Sequence, residues 1–303
     1  MSGLANRRRE ANDRMIIDCH AQIWDAGSRM ATLVAPDSQP ISATLGRYLD
    51  AVHPVDRSIL LGFKSNYLKA EISNEGLAEA VKRHPAKLIG FAGIDPTDDG
   101  CLEELGRAQD RWRLKGVTVS PSLQDFHPCD TRAMAVYAEC ARRGMPVVFE
   151  QSHRCPAAKM EFARPALLDE VAREFPNLRV VVSHMGYPWV DECVALLGKH
   201  RNVYANVAGL LPQVWRSYSA LLSAFEYGVM GKLLFGSDFP YRSPAACIEA
   251  LYSVNLLCSG TNLTTIPREQ LRGIVERDAL TLLGIGVEGA ERELTRSVIV
   301  DED

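Results

Sequence analysis

Short apolar runs alternate with amphipathic segments along almost the whole of this chain, and that alternation is what most constrains its fold. A run of about four to eight apolar, β-branched residues between polar turns reads as a strand, and an apolar stripe with helical spacing reads as a helix. Strands are predicted at residues 15–18, 57–63, 88–94, 116–120, 147–150, 180–183, 203–207 and 233–236. Helices are predicted at 41–52, 74–84, 101–113, 132–143, 165–175, 190–200, 212–227 and 245–257, with a terminal helix over 267–283. Repeated β-α units give an α/β fold, and eight of them fit a single (β/α)8 TIM barrel with its active site at the C-terminal ends of the strands. The rival is an open doubly wound sheet, which binds ligand at its switch point. No glycine-rich phosphate loop follows the first strand to favour that rival.

The 303 residues would divide into a polar N-terminal tail over 1–14, one barrel domain over 15–284 and a charged peripheral tail over 285–303. A hydrophobic fraction of 47% is ample for a large core. A net charge of -4 points to no nucleic-acid or membrane-surface partner. The basic run Arg7-Arg8-Arg9 is short and followed by Glu10 and Asp13, so it reads as part of a solvated tail. No apolar stretch is long enough to span a bilayer, and the start lacks a signal-peptide core. The eight cysteines include no CxxC pair, which suits free thiols in a reducing cytoplasm. The first βα connection, from residue 21 to about 40, is long enough to lie over the strand ends and cover a ligand.

The strand ends carry the chemistry. The first delivers Asp18, His20 and Gln22; side chains two apart on a strand point the same way, so His20 and Gln22 could meet one cation. The fourth ends in Ser120, the fifth in Glu150 with Gln151, His153 and Arg154 beyond it, the sixth reaches His184, the seventh Asn206 and the eighth Asp238. Packing alone does not explain why apolar strands should end in this way. Each residue also has a plainer reading. Asp18 could cap the following turn or orient His20, Gln22 could hydrogen-bond substrate, His153 could replace Glu150 as ligand, and Asp238 could cap a helix near Pro240. Glu150 closes an apolar strand where a lone carboxylate is costly, so it needs a cation: a metal ion or Arg154.

The chain resembles the amidohydrolase superfamily, in the branch that contains aminocarboxymuconate-semialdehyde decarboxylase. The resemblance runs from residue 15 to 284 through Ile17-Asp-Cys-His20, Gly93-Ile-Asp-Pro96, Lys115-Gly-Val117, Phe126-His-Pro-Cys-Asp130 and Met145-Pro-Val-Val-Phe149. It continues through Ser183-His-Met-Gly-Tyr-Pro-Trp-Val-Asp-Glu192, Asn202-Val-Tyr204, Phe235-Gly-Ser-Asp-Phe-Pro240 and Arg277-Asp-Ala-Leu-Thr-Leu-Leu-Gly284. It implies a barrel that holds one divalent metal ion, commonly zinc or manganese. The implied ligands fall on His20, Gln22, Glu150 and Asp238, and a sixth-strand His184 handles substrate or water. Homodimers are common in that branch. Gln22 and Glu150 depart from the pattern, since each stands where relatives carry a histidine. One imidazole, one amide and two carboxylates form a harder donor set, which favours manganese or magnesium over zinc.

The function expected is a metal-dependent hydrolase or decarboxylase (a carbon–carbon lyase) acting on a small carboxylate, aromatic or muconate-like. His184 would move the proton, because imidazole titrates near neutrality, and Asp238 would bind metal and shuttle a proton. Arg154 and Lys159 are candidate carboxylate anchors, while Trp24, Tyr187, Trp189 and Phe239 could stack on a planar substrate. Two alternatives remain: a metal-independent lactonase in which Gln22 and Glu150 hydrogen-bond substrate, and a catalytically inactive barrel that binds a small ligand.

Overall fold

The computed structural model describes residues 15–25, 27–33, 41–151, 155–211 and 213–286. The expected N-terminal tail, most of the C-terminal tail, and the candidates His153 and Arg154 lie outside the described residues.

Eight parallel strands form the barrel: β1 (Ile17–Ala21), β2 (Arg57–Leu61), β5 (Leu88–Gly93), β6 (Gly116–Val119), β7 (Val147–Phe149), β8 (Val180–Val182), β9 (Val203–Asn206) and β10 (Leu233–Leu234). A small antiparallel hairpin, β3 (Phe63–Ser65) with β4 (Ala70–Ile72), follows β2. The barrel strands pair in chain order, each with the next. The last joins the first: Cys19 N donates to Phe235 O at 2.9 Å, Asp238 N to His20 O at 3.0 Å, and Gln22 N to Phe239 O at 3.0 Å.

Strand alternation sorts the apolar residues into two layers. Ile17, Cys19, Ile59, Leu61, Ile89, Phe91, Val148, Val181, Tyr204 and Leu234 fill the barrel, and Ala279, Leu280, Leu283 and Ile285 from the end of the fold join the same cluster. Their partners in alternation, among them Leu60, Val117, Phe149, Val182 and Ala205, face outward into the cluster shared with the helices. Apolar packing therefore occupies the barrel up to the level at which the strands end in polar side chains.

Several boundaries depart from the sequence expectation. β1 begins and ends later than residues 15–18, so His20 lies within the strand, beside a register shift between Asp18 and Ala21. The run 57–63 breaks at Gly62, and Phe63 starts the hairpin instead. The terminal helix divides into Arg268–Val275 and Ala279–Leu282, because Asp278 caps the second piece through Thr281 N at 3.0 Å. Between the pieces, Arg277 Nε donates to Leu233 O at 2.9 Å. Among the described residues no helix is long and apolar enough to cross a membrane.

Candidate active site

Asp18 organises the junction between β1 and the segment after β10. Its carboxylate is fully buried and accepts from Ser237 N at 2.9 Å, Ser237 Oγ at 2.6 Å and His20 N at 3.1 Å, with Tyr48 OH at 3.4 Å. Burial raises its pKa to about 6, held back by the bonds from Ser237 and His20. This carboxylate positions His20.

The His20 ring is buried, and its Nδ1 faces Asn206 Nδ2 at 3.2 Å and Ser183 Oγ at 3.4 Å. Asn206 Oδ1 already accepts from His184 N at 3.0 Å and Ala208 N at 3.3 Å, which fixes the amide and presents its NH2 to His20. On the other side of the ring, Nε2 lies 3.4 Å from Glu150 Oε2 and 3.6 Å from Asp238 Oδ1. Burial pulls the His20 pKa down to about 4, so the ring is neutral. Gly236 makes room for it, since a Cβ there would stand 2.8 Å from His20 Cβ.

Glu150 follows β7 and is 7% exposed, with its N donating to Val119 O at 2.8 Å. Its Oε1 lies 2.7 Å from His184 Nε2, whereas the buried Oε2 has no hydrogen-bond partner among the described residues. Burial opposes the charge, but the imidazoles of His184 and His20 outweigh it and hold the carboxyl pKa at about 2. His184 sits in the turn Ser183–Gly186 with φ 57°, and its Nδ1 donates to Ala208 O at 2.9 Å. That bond directs Nε2 at Glu150. Burial would lower the His184 pKa, but the facing carboxylate prevails and raises it to about 9. Asp238 also has a left-handed backbone, φ 62°. Strained backbone at non-glycine residues costs about 1–3 kcal/mol each and gathers where function requires it. Gly209 lets the β9 loop pass close: a Cβ there would stand 2.9 Å from His184 Nδ1 and 3.1 Å from Asp238 Oδ2.

The donor set fits a divalent cation. His20, Glu150 and His184 each offer a ligand atom, and the three atoms lie within 4.8 Å of one another. An ionised, buried carboxylate oxygen with no hydrogen-bond partner among the described residues is what a cation would satisfy. Donors bound at about 2.1 Å around a four-coordinate ion stand roughly 3.4 Å apart. The separations at His20 Nε2, 3.4 and 3.6 Å, are of that size.

Comparison with known proteins decides the family. The amidohydrolase family profile matches residues 17–285, nearly all of the barrel. The chain belongs to the amidohydrolase family. Among solved structures this amidohydrolase is similar to an uncharacterised TIM-barrel protein, Bb4693, from Bordetella bronchiseptica, with 19% identity, a TM-score of 0.70, and 89% of this chain and 98% of that chain covered. It is also similar to a probable 2-pyrone-4,6-dicarboxylic acid hydrolase from Acinetobacter baumannii with citric acid bound, at 17% identity and a TM-score of 0.65 over 89% of this chain and 99% of that one. A dihydroxybenzoic acid decarboxylase from Polaromonas sp. JS666, with bound manganese and 2-nitroresorcinol, is similar at 16% identity and a TM-score of 0.65 over 90% and 97% of the two chains. No curated protein sequence matches.

In this amidohydrolase one cavity is lined by His20, Gln22, Glu150, His184, Tyr187 and Asp238. The other aromatic candidates do not line it. Trp24 is 6% exposed and spends its indole N–H on Ile41 O at 2.9 Å. Phe239 is buried edge-on against Tyr48, with ring centroids 4.8 Å apart. Trp189 precedes the helix Val190–Lys199, its N bonded to Gly186 O at 2.9 Å. Lys159 is exposed, its Nζ 4.1 Å from the Phe162 ring centre. The helix that starts after Asp238 is capped by Ser243, whose Oγ accepts from Ala246 N at 3.3 Å, so Asp238 is not its cap.

Gln151 and Arg216 also line the cavity; the sequence placed Gln151 at the fifth strand end without a role and did not mark Arg216. Gln151 is 1% exposed, and neither amide atom has a hydrogen-bond partner among the described residues. The signal for it was its place directly after Glu150. Arg216 enters from the first turn of the helix Val214–Glu226, where no local motif marks it.

Proposed function

We propose that this chain is a metal-assisted amidohydrolase-type enzyme, a hydrolase or decarboxylase of a small, planar carboxylate-bearing substrate. One observation carries the reading: Glu150 divides its oxygens, giving Oε1 to His184 and leaving Oε2, beside His20, without a hydrogen-bond partner among the described residues. His20, Glu150 and Asp238 would hold the ion, with Gln22 on the same cavity wall. A bound dication would supply Lewis-acid polarisation and lower the pKa of a water molecule. His184, the third member of the cluster with His20 and Glu150, is read as the proton-moving group because Glu150 Oε1 already engages its Nε2. Its Nε2 proton, shared with Glu150, is positioned for transfer at the cavity face, and the Ala208 carbonyl fixes the ring. Tyr187 offers an aromatic wall. The bound manganese of the similar decarboxylase and the hard donor set both support manganese over zinc.

A second reading, a metal-independent lactonase-type hydrolase, is favoured by Asn206. Its NH2 faces His20 Nδ1, which places the ring proton on Nε2, toward the carboxylates. A metal on Nε2 needs that proton moved to Nδ1, with Ser183 Oγ as its acceptor. One experiment separates the two readings: elemental analysis of protein purified without chelators, followed by assays of carbon dioxide release from hydroxybenzoates and of lactone opening. Near-stoichiometric metal, with activity lost on chelation and restored by manganese, is expected. Metal-free protein of full activity would establish the lactonase reading instead.

A further inference from the structure

We infer that Arg216, stacked on Tyr187, is the anchor for the substrate's carboxylate and sets the preference for an anion. The inference rests on the proposed function in that it takes the cavity at the strand ends as the active site. The guanidinium carbon lies 3.9 Å from the centre of the Tyr187 ring, and both residues line the cavity that contains His20, Glu150, His184 and Asp238. Arg216 Nη1 is buried and has no hydrogen-bond partner among the described residues. Several other arginines in the chain, including Arg132, Arg142, Arg143, Arg164, Arg173 and Arg272, are paired with carboxylates. Among the described residues Arg216 has no such pair, though its head reaches a cavity that also holds two carboxylates.

A packing role alone accounts poorly for this arrangement. An arginine that only covers an aromatic ring keeps its head in water. Here a donor of the head is buried, and its fork geometry matches a carboxylate. The position adds to the argument. Arg216 lies in the first turn of a thirteen-residue helix, where the backbone dipole already disfavours a cation. An anion in the cavity would offset both the unmet donor and that dipole. The ring of Tyr187 holds the guanidinium in one plane, so a carboxylate bound to it would carry an attached planar group along the aromatic wall.

Equilibrium titrations with benzoate and its neutral counterpart benzamide test this on the wild-type protein, R216Q and R216K, each as purified and after chelation. R216Q should bind benzoate about 10- to 100-fold more weakly, the cost of losing a charge-assisted pair, with benzamide unchanged. R216K should recover part of the loss, and thermal melts will show whether both variants are folded. Benzoate binding that R216Q leaves unaltered would overturn the inference, as would no benzoate binding to wild type up to its solubility limit. If chelation abolishes binding and R216Q does not, the metal holds the carboxylate: the inference fails while the proposed function stands. If R216Q weakens benzoate binding equally before and after chelation, the inference stands whether or not the metal-assisted reading does.

Discussion

Asp18 and Ser237, 219 residues apart in sequence, are joined twice: the Asp18 carboxylate accepts from Ser237 N at 2.9 Å and from Ser237 Oγ at 2.6 Å. This pair of hydrogen bonds adds to the backbone closure between the last and first strands and flanks both His20 and Asp238, each of which lies within two residues of it in sequence. Asp18→Ala would remove the acceptor of four buried donors, Ser237 N, Ser237 Oγ, His20 N and Tyr48 OH, and is expected to cost about 2–4 kcal/mol. Urea unfolding would measure the loss. A melt as stable as wild type would show that closure does not depend on this carboxylate.

Glu150→Gln keeps the shape and removes the charge. It should weaken manganese binding by at least about tenfold, as losing a carboxylate from a hard-ion site does. Glu150→His should keep binding and move the preference toward zinc. Competitive metal titration distinguishes these outcomes, and equal manganese affinity in all three proteins would place the ion elsewhere.

His184→Ala is expected to retain metal while turnover falls by roughly two to four orders of magnitude, the usual range for losing a general acid–base group. Metal content and turnover must be measured on the same preparation. Loss of the ion along with activity would make His184 a ligand.

In metal-free protein the His184–Glu150 pair makes a pH signature. The His184 pKa rises from 6.5 to about 9 on folding, because Glu150 outweighs the opposing effect of burial. A raised pKa means the folded state binds the proton more tightly, so this contribution is full below pH 6.5 and disappears as pH climbs through 9. The stability gap between wild type and His184→Ala should therefore narrow across that interval. A gap that widens would show that the pair does not share a proton in this way.

Among the described residues the two buried amide atoms of Gln151 have no hydrogen-bond partner. Gln151→Leu removes them and should stabilise the ligand-free protein by roughly 1–3 kcal/mol, while lowering turnover if the amide meets substrate. A drop in melting temperature would mean that the amide has a structural partner.

How much of this was legible in sequence depends on the range of the interaction. The eight strands and their helices were readable because alternation is a local property. His20, Glu150, His184 and Asp238 could be picked out because each follows an apolar run in the same register. The short hairpin after Gly62 and the break at Asp278 were hidden, since a turn or a cap within a continuous pattern leaves a weak trace. Trp24 and Phe239 looked available as stacking groups, but their direction is set by Ile41 and Tyr48, distant partners that local spacing does not reveal. Arg216 was missed for the same reason: a helix residue reaches the cavity only through the packing of its first turn against Tyr187.

The closure by Asp18 and Ser237 also has a consequence for timing during synthesis. His20 precedes Asp238 by 218 residues, so a growing chain carries one half of the candidate metal pocket long before the other exists. Until the final strand docks, a free cation meets only single imidazoles and carboxylates, and it can reward the finished barrel but cannot guide its assembly. Metal added to a chain truncated before Ser237 should therefore leave its compactness unchanged, whereas the same metal added to the full-length chain should slow its unfolding.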